Sequence, residues 1–164
     1  MIKAGKKAQI KWHDGNWGFL DCGFSTNARS CGLIIGDEKP KRVRFGEAKD
    51  RIIAQVTHSK SPMGLVIEAP LSVCFNKAGN PSGRSLERES ANGKRMTRYW
   101  HNGLGCAVMV AAMYLVREIW HAAPKIPVRL FEGFVSYRAG QTVHRTASRI
   151  VPAGDDRPRG RWHS

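Results

Sequence analysis

Apolar and polar residues trade places in short runs over the first third of the chain, and that rhythm predicts strands. In "NWGFLDCGFS", Trp17, Phe19 and Leu20 lead into Asp21. "SCGLIIGD" is a short apolar run bounded by Gly and Asp, and the polar "TNAR" before it suits a tight hairpin turn. "KRVRF" alternates charge with apolar residues, as a half-exposed third strand does. The period then changes. In "GEAKDRIIAQVTHSK", Ala48, Ile52, Ile53 and Val56 recur at helical spacing, Glu47 falls in the first turn, where the helix dipole favours an acid, and "SP" ends the pattern. "MGLVIEAP" predicts a fourth strand, apolar on both faces, which calls for helices on both sides of the sheet.

Residues 73–98 are rich in Gly, Asn, Ser and charge and predict a long loop. From about Thr97 to His121 the spacing predicts a helix, with Leu104, Val108, Ala111, Ala112, Leu115 and Ile119 on its core face. "IPVRLFEGF" predicts a fifth strand that arrives at Glu132, and "QTVHRTASRIV" a short last helix. The expected order is β-β-β-α-β-α-β-α, an α/β domain over residues 16–150 with a mixed five-stranded sheet flanked by helices. Residues 1–15 are basic and read as an N-terminal arm or irregular first strand; the Arg-rich residues 151–164 read as a mobile tail.

Charge adds a partner to this picture. The 164 residues carry 27 Lys plus Arg against 13 Asp plus Glu, a formal net charge of +14. Such a field attracts polyanions, and nucleic acid is the expected partner. The apolar run "GLGCAVMVAAMYLV" falls short of the ~20 residues a membrane helix needs, so no membrane partner is expected. "MIKAGKKAQIKW" has no apolar stretch behind it, and Cys22, Cys31, Cys74 and Cys106 form no C-x-x-C pair, so a reducing, cytoplasmic setting without zinc is expected. The Walker A, H-E-x-x-H and G-x-S-x-G patterns are missing, which argues against a P-loop NTPase, a zinc protease and a serine hydrolase. The sequence leaves the oligomeric state open and permits a homodimer.

Three apolar strands carry an acid near the C-terminal end: Asp21 in "GFLDCG", Glu68 in "LVIEAP" and Glu132 in "RLFEGF". Ligand sites of open α/β sheets lie outside the carboxyl ends of the strands. Acids brought together there repel each other, and a hard divalent cation, Mg²⁺ or Mn²⁺, relieves the repulsion. Asp21, Glu68 and Glu132 are therefore candidate metal ligands and catalytic groups.

The layout strand–Asp–strand–strand–helix–strand–Glu–helix–strand–helix resembles the ribonuclease H-like superfamily. "FLDCGFSTNARSCGLII" looks like its first hairpin and "LVIEAPLS" like its fourth strand. Within it, the chain is most similar to Holliday-junction resolvases of the RuvC type and to related uncharacterised bacterial domains, over residues 16–150. The resemblance implies two-metal hydrolysis of nucleic-acid phosphodiester bonds, with Asp21 and Glu68 on Mg²⁺ and Asp21 bridging. One departure stands out. Resolvase-type members carry a further acid in the last helix, a few residues after a histidine; "TVHRTASR" offers His144, but Thr146 and Ala147 stand where the acid belongs. Glu132 or the tail acids Asp155 and Asp156 would have to substitute, with His144 as a further catalytic candidate. Otherwise the chain is a non-catalytic nucleic-acid-binding module of the same fold.

The expected nucleic-acid surface has two parts. "KPKRVR" contributes Lys39, Lys41, Arg42 and Arg44; Lys94, Arg95 and Arg98 flank Tyr99 and Trp100, whose rings suit stacking on unpaired bases.

Overall fold

The computed structural model describes residues 1–10, 16–23, 29–72, 74–82, 88–91, 94–97, 104–134 and 149–152. The main sheet takes β1 (Ile2–Ala4), β2 (Asn16–Asp21), β3 (Cys31–Ile35), β4 (Lys41–Val43), β5 (Met63–Ile67), β10 (Val128–Phe134) and β11 (Arg149–Pro152). Its order is β1-β10-β5-β2-β3-β4, and β11 pairs with the far half of β10 beyond the reach of β1. β2, β5 and β10 run parallel, whereas β3 is antiparallel to both β2 and β4.

The expected α/β class and mixed sheet are present, and the five strands read from the sequence form a contiguous block. The sheet is wider than five because both chain ends add to it. β1 lies in the segment read as an arm or irregular first strand, and the strand is what forms: its Ile2, Lys3 and Ala4 pair with Val128, Arg129 and Leu130. β11 occupies the end of the stretch expected to be the last helix, so residues 149–152 are extended, and residues 141–148 lie outside the described set. Paired against β10, these four residues satisfy their backbone in a ladder, which overrides a weak helical period. The expected loop at 73–98 contains two small hairpins, β6 (Cys74–Phe75) with β7 (Pro81–Ser82) and β8 (Arg88–Ala91) with β9 (Lys94–Thr97).

Helices α1 (Phe45–His58) and α2 (Leu104–His121) pack on the same face of the sheet. Ala48, Ile52 and Val56 of α1 and Val108, Ala112, Leu115 and Ile119 of α2 meet Leu20, Leu33, Val43, Leu65, Ile67, Val128 and Leu130 from the strands. Each fully buried aliphatic side chain there contributes about 1.5–3 kcal/mol. The expectation of helices on both faces does not hold for these two. The crossovers β4–α1–β5 and β5–α2–β10 step the same way along the sheet, and connections of one hand then leave their helices on one side. The opposite face carries a smaller cluster of Trp17, Val66 and Phe131, with Ile10 and Phe19 packed against it. The N-terminal segment crosses this cluster: the Gly5 amide donates to the Leu130 carbonyl (2.8 Å), and a Cβ on Gly5 would lie 2.2 Å from the Phe131 ring. No helix among the described residues is long and apolar enough to cross a membrane.

Candidate functional site

Strand register places the three acids. Asp21 pairs with Gly32 of β3. Leu20 pairs with Ile67, and the Glu68 amide donates to the Leu20 carbonyl (2.8 Å), so the ladder continues and Glu68 lies level with Asp21. Glu132 pairs with Ile67, which puts Gly133 level with Glu68. Gly32, Asp21, Glu68 and Gly133 thus form one row across β3, β2, β5 and β10, at the carboxyl ends of the three parallel strands.

Alternation assigns the row to a face. Leu20, Ile67, Cys31 and Leu33 point into the helix-covered core, so Asp21, Glu68 and Gly32 point to the other side. The two acids are half-buried, and Oε2 of Glu68 is shielded from solvent. Gly32 and Gly133 flank the two acids, and the row runs on to Arg42 of β4 and Ile150 of β11. A Cβ on Gly32 would lie 3.4 Å from Cβ and 3.6 Å from Oδ2 of Asp21, and one on Gly133 would lie 2.9 Å from Cγ1 of Val66. A side chain on Gly32 would fill space beside the Asp21 carboxylate, whereas one on Gly133 would meet Val66 and the backbone at Ile67 and Glu68.

Glu132 does not join the row. It is one residue out of step, on the face of Leu130 and Val128, and is fully buried. Its Oε1 accepts from the Leu71 amide (2.9 Å) and the Ser72 hydroxyl (3.1 Å). The carboxylate fastens the turn that follows Glu68 onto β10. Among the described residues no three His, Cys, Asp or Glu side chains stand close enough to hold a metal together. Of the expected trio, Asp21 and Glu68 share a row and a face, and Glu132 lies on the other face.

Beneath the pair lie two free thiols, Cys22 and Cys31, both buried. Burial pushes the Cys22 thiol up to about 12, with Cys31, Asp21 and Glu68 adding to the rise. Burial likewise raises Cys31. Both sit among the apolar side chains of the helix-covered core, as small hydrophobes do. That Cys22 responds to both Asp21 and Glu68 agrees with the shared row.

The basic residues separate by face. Lys39, Lys41, Arg42 and Arg44 are all exposed. Lys41 pairs with Leu33 and so lies on the helix side, where its Nζ meets Glu38 at 2.9 Å; Arg51 of α1 binds the same carboxylate. These two cations hold the Glu38 carboxyl below its usual range. Arg42 pairs with Gly32 and shares the face of the acids. Lys94 and Arg95 lie in the separate β8–β9 hairpin. Arg98 and His144, with Tyr99, Trp100, Thr146, Ala147, Asp155 and Asp156, lie outside the described residues. Sequence reasoning missed Gly32 and Gly133; the signal was a glycine inside each strand pattern, in "SCGLII" and "FEGF", which marks a close approach. Comparison with protein-family models, with curated proteins and with solved structures gives no match for this chain.

Proposed function

We propose that the chain binds nucleic acid through its basic surface and hydrolyses phosphodiester bonds, with Asp21 and Glu68 as the ligands of Mg²⁺ or Mn²⁺. The single observation that carries this is the row Gly32–Asp21–Glu68–Gly133: two carboxylates abreast at the carboxyl ends of adjacent parallel strands, with Gly32 leaving the space beside Asp21 free of a side chain. The ribonuclease H-like architecture is part of the proposal. What supports it is the element order, with Asp21 ending the first strand of the hairpin and Glu68 following the fourth core strand.

The donor set fits the metal. Mg²⁺ keeps several waters and is commonly held by one or two carboxylates plus substrate phosphates, so a pair suffices where zinc would need three or four protein ligands. Bound there, the metal would lower the pKa of a water and stabilise charge on the leaving oxygen. The residues of the chain do the rest. Asp21 and Glu68 fix the position of the site on rigid strands. Gly32 would admit a phosphate to the backbone level beside Asp21. The net charge of +14 concentrates the polyanion at the surface without reading its sequence.

The test uses single-stranded, duplex, branched and hybrid substrates with Mg²⁺ or Mn²⁺. The parent should cleave at least one of them; Asp21→Asn and Glu68→Gln should each lower cleavage by about two orders of magnitude or more while binding persists. Equal cleavage by parent and variants would show the acids to be structural. The placement of Glu132 on the other face favours one second reading, a nucleic-acid-binding module without catalysis. Salt-dependent binding with no cleavage under any of these conditions would establish it.

A further inference from the structure

The row that holds the two acids continues one strand further. Gly32 pairs with Asp21 on one side and with Arg42 on the other. Val43, next to Arg42, pairs with Cys31 and points into the helix-covered core, so Arg42 points to the face of Asp21 and Glu68. Two strand spacings, about 10 Å in all, separate the backbones of Arg42 and Asp21. The position between them is Gly32, which has no side chain. A long guanidinium can therefore lean over the glycine toward the carboxylates, with room left for a phosphate group.

Neighbouring cations are differently employed. Lys41 and Arg51 are bound to Glu38 on the other side of the sheet. Arg42 is exposed and makes no salt bridge with a carboxylate among the described residues. Its strand is at the sheet edge, where a bare charge also discourages edge-to-edge pairing. That explanation accounts for a charge at the edge but not for its sharing a row with two acids across a glycine.

We propose that Arg42 is a positioning residue that grips non-bridging oxygens of the phosphate seated in front of Asp21 and Glu68, its planar fork opposing the carboxylates across the Gly32 gap. This rests on the assignment of Asp21 and Glu68 to the phosphodiester site. It sets Arg42 apart from the other basic residues, which would hold phosphates further along the polyanion.

The experiment is a binding cycle that needs no cleavage. A fluorescently labelled 20-base-pair duplex is titrated in EDTA with the parent, Arg42→Ala, Asp21→Asn, the double variant, Arg42→Lys and, as a control, Arg51→Ala. Arg42→Ala should weaken binding about 5–10-fold and lower the log–log salt slope by about one; Arg51→Ala should change neither. Arg42→Lys should keep the slope and recover part of the affinity. Asp21→Asn should tighten binding in the parent by removing charge that faces phosphate, and that gain should shrink at least about threefold once Arg42 is gone, since both groups face one phosphate. Additive effects of Arg42→Ala and Asp21→Asn, or a slope unchanged in Arg42→Ala, would overturn the role of Arg42. A parent that binds and never cleaves would overturn the nuclease reading alone, because the cycle is read without turnover. A parent that does not bind nucleic acid would overturn both.

Discussion

The two faces of the central sheet are built from the same strands yet do different work. One face packs Leu20, Leu65, Ile67, Val128 and Leu130 against α1 and α2 and is almost wholly apolar. The other has a small hydrophobic cluster, Trp17, Val66 and Phe131, and beyond it Asp21 and Glu68 in a row with Arg42. Strand side chains alternate, so a single residue step moves an acid from one face to the other. Glu132 shows the consequence. It ends an apolar strand run much as Asp21 does, but one step out of register, and it serves as a buried acceptor for Leu71 and Ser72. Three similar motifs therefore split into two acids that share one face of the sheet and one that is buried on the other.

Substitutions on the two faces should separate stability from function. The largest loss of stability is expected from Leu65→Ala, fully buried on the helix side, at about 2–5 kcal/mol in denaturant unfolding. Glu132→Ala should cost about 2–3 kcal/mol, because the Leu71 amide and Ser72 hydroxyl lose their charged acceptor. Gly133→Ala should cost about 1–3 kcal/mol, since the new methyl meets Val66 at 2.9 Å. It should also impair any metal effect at Glu68. Asp21→Asn and Glu68→Gln should leave the melting temperature without metal unchanged or higher, because neutralising one of two adjacent acids relieves repulsion. Stabilisation by added Mg²⁺ should shrink in both. A Glu68→Gln variant as damaged as Glu132→Ala would erase the distinction between the faces.

The smallest effect is expected at Glu38. Lys41 and Arg51 hold its carboxyl below the usual range, so whatever stability it adds is present above the unfolded carboxylate pKa and fades as pH falls through the lowered folded value. The pair is exposed and screened by salt, so Glu38→Gln should shift the acid limb of the stability curve slightly and leave neutral pH almost untouched. Acid titration of parent and variant by circular dichroism checks the sign.

Much of the fold was legible because long-range order followed local period. The strands through Asp21, Leu33, Val43, Ile67 and Glu132 and the helix through Ile52 stand where the hydrophobic pattern puts them; the helix through Leu115 is described from Leu104, and Thr97, its expected start, ends β9 instead. β1 was legible only as one of two readings of the N-terminal segment and β11 not at all as a strand, because each is short and gains its partner only from β10. The pairing of Asp21 with Glu68 followed from matched strand ends. The exclusion of Glu132 depends on register with Ile67, which no local pattern encodes. The part played by Gly32 was hidden for a different reason: a glycine's contribution is space, visible only once Asp21 and Arg42 flank it.

The central claim is that Asp21 and Glu68, and not Glu132, hold a divalent metal. Crystals soaked in Mn²⁺ and measured for anomalous scattering test it most directly. The expected result is a peak within about 2.1–2.2 Å of carboxylate oxygens of both Asp21 and Glu68, on the face of Gly32 and Gly133, with none at Glu132. A peak at Glu132, or full soaking with no peak between Asp21 and Glu68, would contradict it.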